Sequence, residues 1–392
     1  MVTDAYPPMR TSCAVQMYDL AQAFIEEGHQ VTIITPSSTQ KERVHITRHE
    51  GVRLIQVKAF ETKDINYVSR TLAEFINPFL IWHKLKKCPE FLKTQYDGII
   101  WYSPTIFWGP LIKRLKQQYG VRAYLILRDI FPDWALDLGL IKKGVIYKFL
   151  KAVELFQYQQ ADVIGVQSLN NLTYFKGKNP NLTAEIEVLW NWIGETKETP
   201  CSIDLSKTTL AGRKIFIYAG NMGPAQAVQK LVHLAEIMRG LNDVGFVFVG
   251  RGSEVEHLKT LVKQFKLDNC LFFNEIDSAE IPGLLRQCAV GMISLDSRHN
   301  AHNIPGKFVV YLKSGLPIIG VVNKGNDLIS LVGENNLGIL FEDQLSPACF
   351  HMAVDLLDEL AKNDVISTRC NKFALSFFSP KTAENFIYNS FR

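Results

Sequence analysis

Short apolar runs alternate with longer amphipathic stretches from one end of the chain to the other. In the first half, Val31–Thr35, Gly51–Val57, Gly98–Tyr102, Ala123–Leu127, Asp162–Val166 and Glu187–Trp190 read as strands. Val15–Glu27, Ile106–Gln118 and Val145–Gln159 carry helical periodicity between them. Strands that are apolar almost throughout leave no face for water, so they predict parallel sheet covered by helices on both sides. A second series repeats the pattern. Its strands are Lys214–Ala219, Val244–Val249, Cys270–Phe273, Ala289–Ser294, Leu316–Val321 and Gly338–Phe341; its helices include Gln226–Leu241, Glu254–Phe265, Glu280–Gln287 and Pro347–Lys362. The intervening Glu195–Arg213 is polar, turn-rich and aperiodic, and reads as a connection. The expectation is an α/β protein of two doubly wound domains, residues 1–195 and 214–376, joined through 196–213 and facing one another across a cleft.

The amino end departs from this regularity. Met1-Val2-Thr3-Asp4 leaves barely three residues of strand before Tyr6-Pro7-Pro8, where a buried strand usually has about five or six. A shortened start or a misassigned initiator is expected, set against a short but tolerated first strand.

Composition narrows the class. At 392 residues the chain exceeds what one core supports, and 47% apolar residues describe an ordinary globular protein. Its seven cysteines, at 13, 88, 201, 270, 288, 349 and 370, show no CxxC or zinc spacing and predict free thiols in a reducing cytoplasm. No secretory pattern opens the sequence, and no apolar run approaches the roughly 18–20 residues of a membrane span. The expected location is cytoplasmic, with a peripheral place on the inner membrane face allowed.

Charge adds one asymmetry. Residues 1–195 hold 23 Lys and Arg against 19 Asp and Glu, and the remainder holds 20 of each. That excess is too small for a nucleic-acid partner and suits an anionic ligand or an acidic lipid face. A cationic, aromatic helix over about Phe79–Lys93, with Lys142, Lys143, Lys148 and Lys151 elsewhere in the same half, fits either a bilayer surface or a solvated face.

The strongest chemical signal is Asn303–Pro317, NIPGKFVVYLKSGLP. Pro305 and Gly306 open a short helix, Lys307 lies in its first turn, and Ser314-Gly315 end it before a buried strand. A helix start gathers unpaired N–H groups and partial positive charge. A lysine there calls for an anion, and a diphosphate would fit. Gly220-Asn221-Met222-Gly223 follows the first strand of the second series and lets backbone approach a phosphate; the spacing is not GxGxxG, which argues against a nicotinamide site. Gly250-Arg251-Gly252 repeats the arrangement one strand on, with Arg251 a nucleotide contact or a cap on the sheet edge. In the first half, Arg128, Asp129 and Asp133 cluster after an apolar strand as acid–base candidates, the alternative being an ion pair that braces the loop. Ser12 and Cys13 open a helix beside the first strand, with Arg10 nearby. His299 and His302 have a metal-compatible spacing but no evident third ligand.

Taken together, these motifs resemble a known family. The run DAYPP…SCAVQMYDLAQAFIEEGHQVTIITP from Asp4 is similar to the amino-terminal signature of GT-B enzymes of glycosyltransferase family 4. The likeness is greatest to the bacterial O-antigen and capsule branch that includes L-fucosamine transferases. IIWYSP at 99–104, RDIFP at 128–132, VLWNWI at 188–193, IYAGNMG at 217–223, NIPGK at 303–307 and YLKSGLP at 311–317 extend it along nearly the whole chain. Residues 377–392 resemble the family's last helix, which returns to the first domain.

The resemblance implies two Rossmann-like domains and retaining, metal-independent transfer of a sugar from a nucleoside diphosphate, with no cofactor. It implies donor binding by Gly220, Asn221, Gly223, Arg251, Asn303, Gly306, Lys307 and Asn191, and catalysis by Asp129, Arg128 and Lys307. Ser12, Cys13 and Asp133 would lie on the acceptor side, and the acceptor would be a lipid-linked saccharide. The chain also departs from the pattern. Asn303 and Val310 stand where most members carry two glutamates, Asn221 and Gln226 replace an Arg and a Lys, and Arg128 replaces a histidine. A nucleotide-sugar binder without turnover and a UDP-sugar 2-epimerase are the rival expectations.

Overall fold

A computed structural model describes the chain apart from residues 10, 63–64, 104, 138, 196–197, 299–303, 344, 346–347 and 363–364, and the side chains of 67 and 361–362. The chain divides into two compact units, Met1–Ile193 with Pro380–Arg392, and Gly194–Ser379.

The first unit has strands β1 (Thr32–Ser37), β2 (Val44–His49), β3 (Val52–Lys58), β4 (Gly98–Ser103), β5 (Arg122–Leu127), β6 (Val163–Val166) and β7 (Glu185–Val188). They form the orders β1-β3-β2 and β4-β5-β6-β7. Val2 stitches the two together, bridging in parallel to Ile34 of β1 and to Trp101 of β4. Its N–H donates to the Ile100 carbonyl at 2.8 Å, and its carbonyl accepts from Tyr102 N–H at 3.1 Å. The short first strand is thus a central bridge, with Val2 only 1% exposed.

Strand alternation explains the two cores of this unit. Ile34, Ile55, Trp101, Leu125 and Ile164 enter one cluster; Ile33, Leu54, Ile100, Tyr124 and Val163 enter the other. Each strand therefore feeds both faces, the arrangement that uninterrupted apolar runs require. The helix Pro380–Asn389 closes one face, with Ala383 and Ile387 buried beside Met17, Leu20 and Phe24 of the helix Ser12–Glu26.

Three differences from the sequence expectation have physical causes. β2, unread in the sequence, pairs antiparallel with β3; its residues VHITRH hold only two apolar side chains, separated by a polar one, and lack the run that marked the others. The cationic helix expected over 79–93 is instead Tyr67–Leu85, followed by a separate turn of helix at Pro89–Leu92 with Phe91 fully buried. Pro89 cannot continue the first helix but suits the first turn of the next. Residues 377–392, expected as one last helix, are divided by Pro380 between the end of Val365–Phe377 and Pro380–Asn389.

In the second unit, β8 (Lys214–Ala219), β9 (Val244–Val249), β10 (Cys270–Phe273), β11 (Val290–Ser294), β12 (Ile318–Val322) and β13 (Gly338–Glu342) form a six-stranded sheet. All are parallel, in the order β10-β9-β8-β11-β12-β13. The order reverses between β8 and β11, and the carboxyl ends of those strands are where such sheets take ligands. Of the stretch 196–213, expected as a linker, the described residues 198–213 belong to this unit. Ile203, Leu205 and Leu210 are buried, and the Leu210 side chain covers Gly245 of β9. Three apolar anchors among polar neighbours were too sparse for a periodic signal.

The turn after β8 and the loop after β9 lie in direct contact, which only glycine permits. A Cβ on Gly250 would fall 2.0 Å from the Gly220 oxygen, and one on Gly252 would fall 2.3 Å from the Met222 oxygen. Both have positive φ, +145° and +153°. Gly250→Ala is expected to destabilise the second unit by roughly 2–3 kcal/mol through clash and strain; urea unfolding of the full chain measures this, and an unchanged midpoint contradicts the contact.

Candidate functional site

The described residues bring two of the sequence motifs together at the β8/β11 switch point. Lys307 lies in the first turn of the helix Gly306–Lys313, whose capping position is Pro305 and which has no side-chain cap. Its ammonium is 3.7 Å from the centroid of the Tyr218 ring, on β8. The end of the same side chain lies 3.6–3.7 Å from where a Cβ would stand on Gly220. One helical turn on, the Tyr311 hydroxyl accepts the N–H of Ala219 at 2.8 Å. Positions four apart share a helix face, so Lys307 and Tyr311 both point at the end of β8. The Tyr311 ring can lie there because Gly291 of β11 has no side chain; a Cβ would come within 2.4 Å of it.

The glycine turn is held on several sides. Gly220 N–H donates to Val249 O at 2.9 Å, Met222 N–H to Arg251 O at 2.8 Å, and Glu254 N–H to Met222 O at 3.1 Å. The Tyr218 hydroxyl donates to Asn221 O at 2.7 Å. Gln226 Oε1 accepts from both Gly223 N–H and the Asn221 side chain, each at 3.2 Å. At the end of β11, Ser294 Oγ donates to Gln226 O at 2.6 Å, and Asp296 is held by Arg298 through two contacts of 2.8–2.9 Å.

The electrostatics of Lys307 set it apart. Burial lowers its ammonium to about 7, and no neighbouring charge contributes. Among the described residues it has no ion pair or hydrogen bond, only the π face of Tyr218. A desolvated cation beside an uncapped helix start and a glycine turn is a site for an anion.

Other expected donor residues fall differently. Arg251 is 80% exposed at the side chain and pairs with Glu275 at 3.2 Å. Gly250 and Gly252 serve backbone packing. Asn303, like Arg10, His299 and His302, lies outside the described residues. Asn191 belongs to the first unit, where its Oδ1 accepts from the Gln16 side chain at 2.7 Å; Gln16 in turn accepts from the Tyr102 hydroxyl at 2.7 Å.

In the first unit the expected acid–base trio separates. Arg128 is buried at the end of β5, donating to Leu189 O at 2.9 Å and lying 4.6 Å above the Trp192 ring. Asp133 faces a different set: the Tyr147 hydroxyl at 2.6 Å and Lys151 Nζ at 3.1 Å. Asp129 is half-buried; burial raises its carboxyl, and the Arg128 charge opposes the rise. Cys13 is buried, 3.1 Å from Thr3 Oγ1 and 3.4 Å from Asp4 Oδ1, whereas Ser12 is exposed at the start of its helix.

Sequence reasoning missed Tyr218, Gln16 and the partners of Asp133. One signal was available: Tyr218 is a polar-tipped aromatic one residue from the end of an apolar strand, two residues before the glycine turn. The others are set by contacts across distant sequence.

Residues 204–373 match the family model described as glycosyl transferases group 1. The match falls within the second unit. The chain is 22% identical over 229 residues to probable glycosyltransferase WbjE of Pseudomonas aeruginosa, 57% of each chain. It is 26% identical over 198 residues to putative colanic acid biosynthesis glycosyl transferase WcaI of Escherichia coli K12, 48% of each chain. The chain thus spans about half the length of the curated relatives it matches. Its fold is similar to that of Anabaena HepE in complex with UDP-glucose, with a TM-score of 0.64 and 14% identity over 99% of this chain and 98% of that one. The fold is GT-B.

Tyr311→Phe is expected to cost about 1–2 kcal/mol by orphaning the Ala219 N–H. It should also loosen the glycine turn, seen as faster amide exchange at 219–223; unchanged stability and exchange would place the hydroxyl outside the network.

Proposed function

We propose that this protein moves a sugar from a nucleoside diphosphate, UDP-linked, onto a lipid-linked oligosaccharide in O-antigen or capsular polysaccharide synthesis, with retention and without metal. The sugar suggested by the resemblance is an N-acetylated 6-deoxyhexose. The observation that carries the reading is the unmatched Lys307 ammonium beside the Gly220 turn. Support also comes from the UDP-glucose bound to HepE and from the colanic acid assignment of WcaI.

When the anomeric bond to diphosphate breaks, negative charge builds on the departing phosphate oxygen. Lys307 and the first N–H groups of the Gly306–Lys313 helix would take up that charge without moving, with the Gly220–Gly223 turn allowing the phosphates close approach. Asp129 would orient the acceptor hydroxyl. Its burial favours the neutral form, so Arg128 is needed to keep the carboxylate available. Asn221 and Gln226, in place of the usual cations, would leave Lys307 as the main positive charge on the donor phosphates. Val310, in place of a glutamate, removes one carboxylate from the donor side.

Lys307→Ala is expected to lower kcat for donor turnover about 100- to 1,000-fold, as loss of one charge-stabilising donor does elsewhere; turnover equal to the parent overturns the assignment. Binding without turnover in the parent itself, across UDP-, GDP- and dTDP-sugars with lipid-linked acceptors, supports the non-catalytic binder instead.

The pH dependence follows from the same lysine. Its folded value of about 7 lies below that of an ordinary lysine, so UDP must bind a site whose cation is lost as pH rises. Calorimetry should show UDP affinity falling by up to about tenfold per pH unit above roughly 7. Lys307→Met should bind weakly and without that slope. A parent affinity flat between about pH 7 and 9 contradicts a charge role for Lys307.

A further inference from the structure

The first unit leaves a set of large apolar side chains in water. On the helix Tyr67–Leu85, Val68, Leu72, Phe75 and Phe79 are 80%, 58%, 40% and 53% exposed. Their spacing of four, three and four residues makes one stripe along the helix. On the helix Val145–Tyr158, Val145, Ile146 and Phe149 are 85%, 71% and 49% exposed. The Phe75 and Phe149 rings are 6.2 Å apart, and Phe75 is 6.0 Å from Phe79. The two helices therefore present one continuous apolar face, larger than scattered surface residues would make.

Cations border that face at both ends. Beyond Phe79 come exposed His83 on the helix and exposed Lys86 and Lys87 just past its end, with Arg43 close enough that the four basic groups Lys87, Lys86, Arg43 and Lys84 all hold the His83 ring below its ordinary value. Around Val145 and Phe149 lie exposed Lys142, Lys143 and Lys148. None of Arg43, Lys86, Lys87, Lys142, Lys143 or Lys148 has an ion pair with a described residue. No described helix is long and apolar enough to cross a membrane.

We propose that this face docks the protein on a bilayer rich in anionic phospholipid. Phe75, Phe79 and Phe149 enter the interface, and the bordering lysines meet headgroup phosphates. A second copy of the chain is a poor occupant, because pairing the face with itself would bring two unpaired cationic rims together. An anionic bilayer neutralises the same rim and buries the same rings.

The proposal is independent of sugar transfer, and its test uses no substrate. The full chain is sedimented with vesicles of phosphatidylcholine alone and with about one third phosphatidylglycerol added. Binding is expected to the anionic vesicles, little to the neutral ones, and release at about 0.5 M salt. Combined Phe75→Ser, Phe79→Ser and Phe149→Ser should weaken binding about tenfold or more. Lys86→Gln with Lys87→Gln should weaken it by roughly fivefold per cation, and these exposed changes keep the test valid should the aromatic variant fail to fold. UDP affinity should be the same in every folded variant. Equal binding to neutral and anionic vesicles overturns the proposal, as does no binding to either or variants that bind like the parent. Light scattering that shows a parent dimer dissolved by the aromatic changes also overturns it, and assigns the face to self-association.

Discussion

The second unit is organised around a backbone contact that no side chain could share. The turn at Gly220–Met222 lies against Gly250–Gly252 so closely that any Cβ there would meet a carbonyl oxygen. That contact sets where the end of β8 lies, and Tyr218 and Ala219 are its last two residues. Tyr218 then forms the aromatic floor under Lys307, and Ala219 receives Tyr311 from the same helix. The site is less a pocket lined with chemistry than a meeting of two rigid backbones with one cation held between them. Burial without a counter-charge keeps that cation poised, since the same desolvation that lowers its affinity for a proton strengthens its attraction for an anion.

The first unit uses its polar residues in the opposite way. Gln16 joins Tyr102 to Asn191, its carbonyl accepts from the Trp192 indole at 2.8 Å, and Trp192 in turn lies under Arg128. Such a network fixes the loops after β4, β5 and β7 relative to one another, and every member has its partner within the unit. Asp133, Lys151 and Glu154 make a second buried group, in which burial lifts the Glu154 carboxyl to about 7 against the pull of Lys151. Asp129 is half-buried beside Arg128 at the end of β5. A chain can therefore display acid–base residues in one short motif and spend most of them on holding the loop in place.

Strands were legible wherever both faces of the sheet are covered. β8, β9 and β10 appear in the sequence with the bounds the structure gives them, because four to six consecutive apolar residues have no other stable use here. β2 was invisible because its two apolar residues, Val44 and Ile46, are separated by a polar one and form no run. Helix ends moved by a few residues where caps were weak, as at Gly109–Tyr119, which starts three residues later than its apolar pattern. The importance of Lys307 was legible from the cost of placing a cation at a helix start. The assignments of Arg251, Asn191 and Asp133 were not, since charge and amide groups carry no mark of which distant partner will claim them.

By itself the sequence determined the alternating layers, the parallel strands that make up most of both units' sheets and the motif in which a lysine follows Pro-Gly, because periodicity and local backbone chemistry act within a few residues. Tertiary structure alone decided what each polar residue does with its charge. It placed the Tyr218 ring and Gly220 beside Lys307, gave Arg251 to Glu275, and turned the apolar stripe from Val68 to Phe79 outward next to Phe149. Those outcomes depend on which strands end side by side. Chain separation hides that from any local pattern, and only the closed sheet settles it.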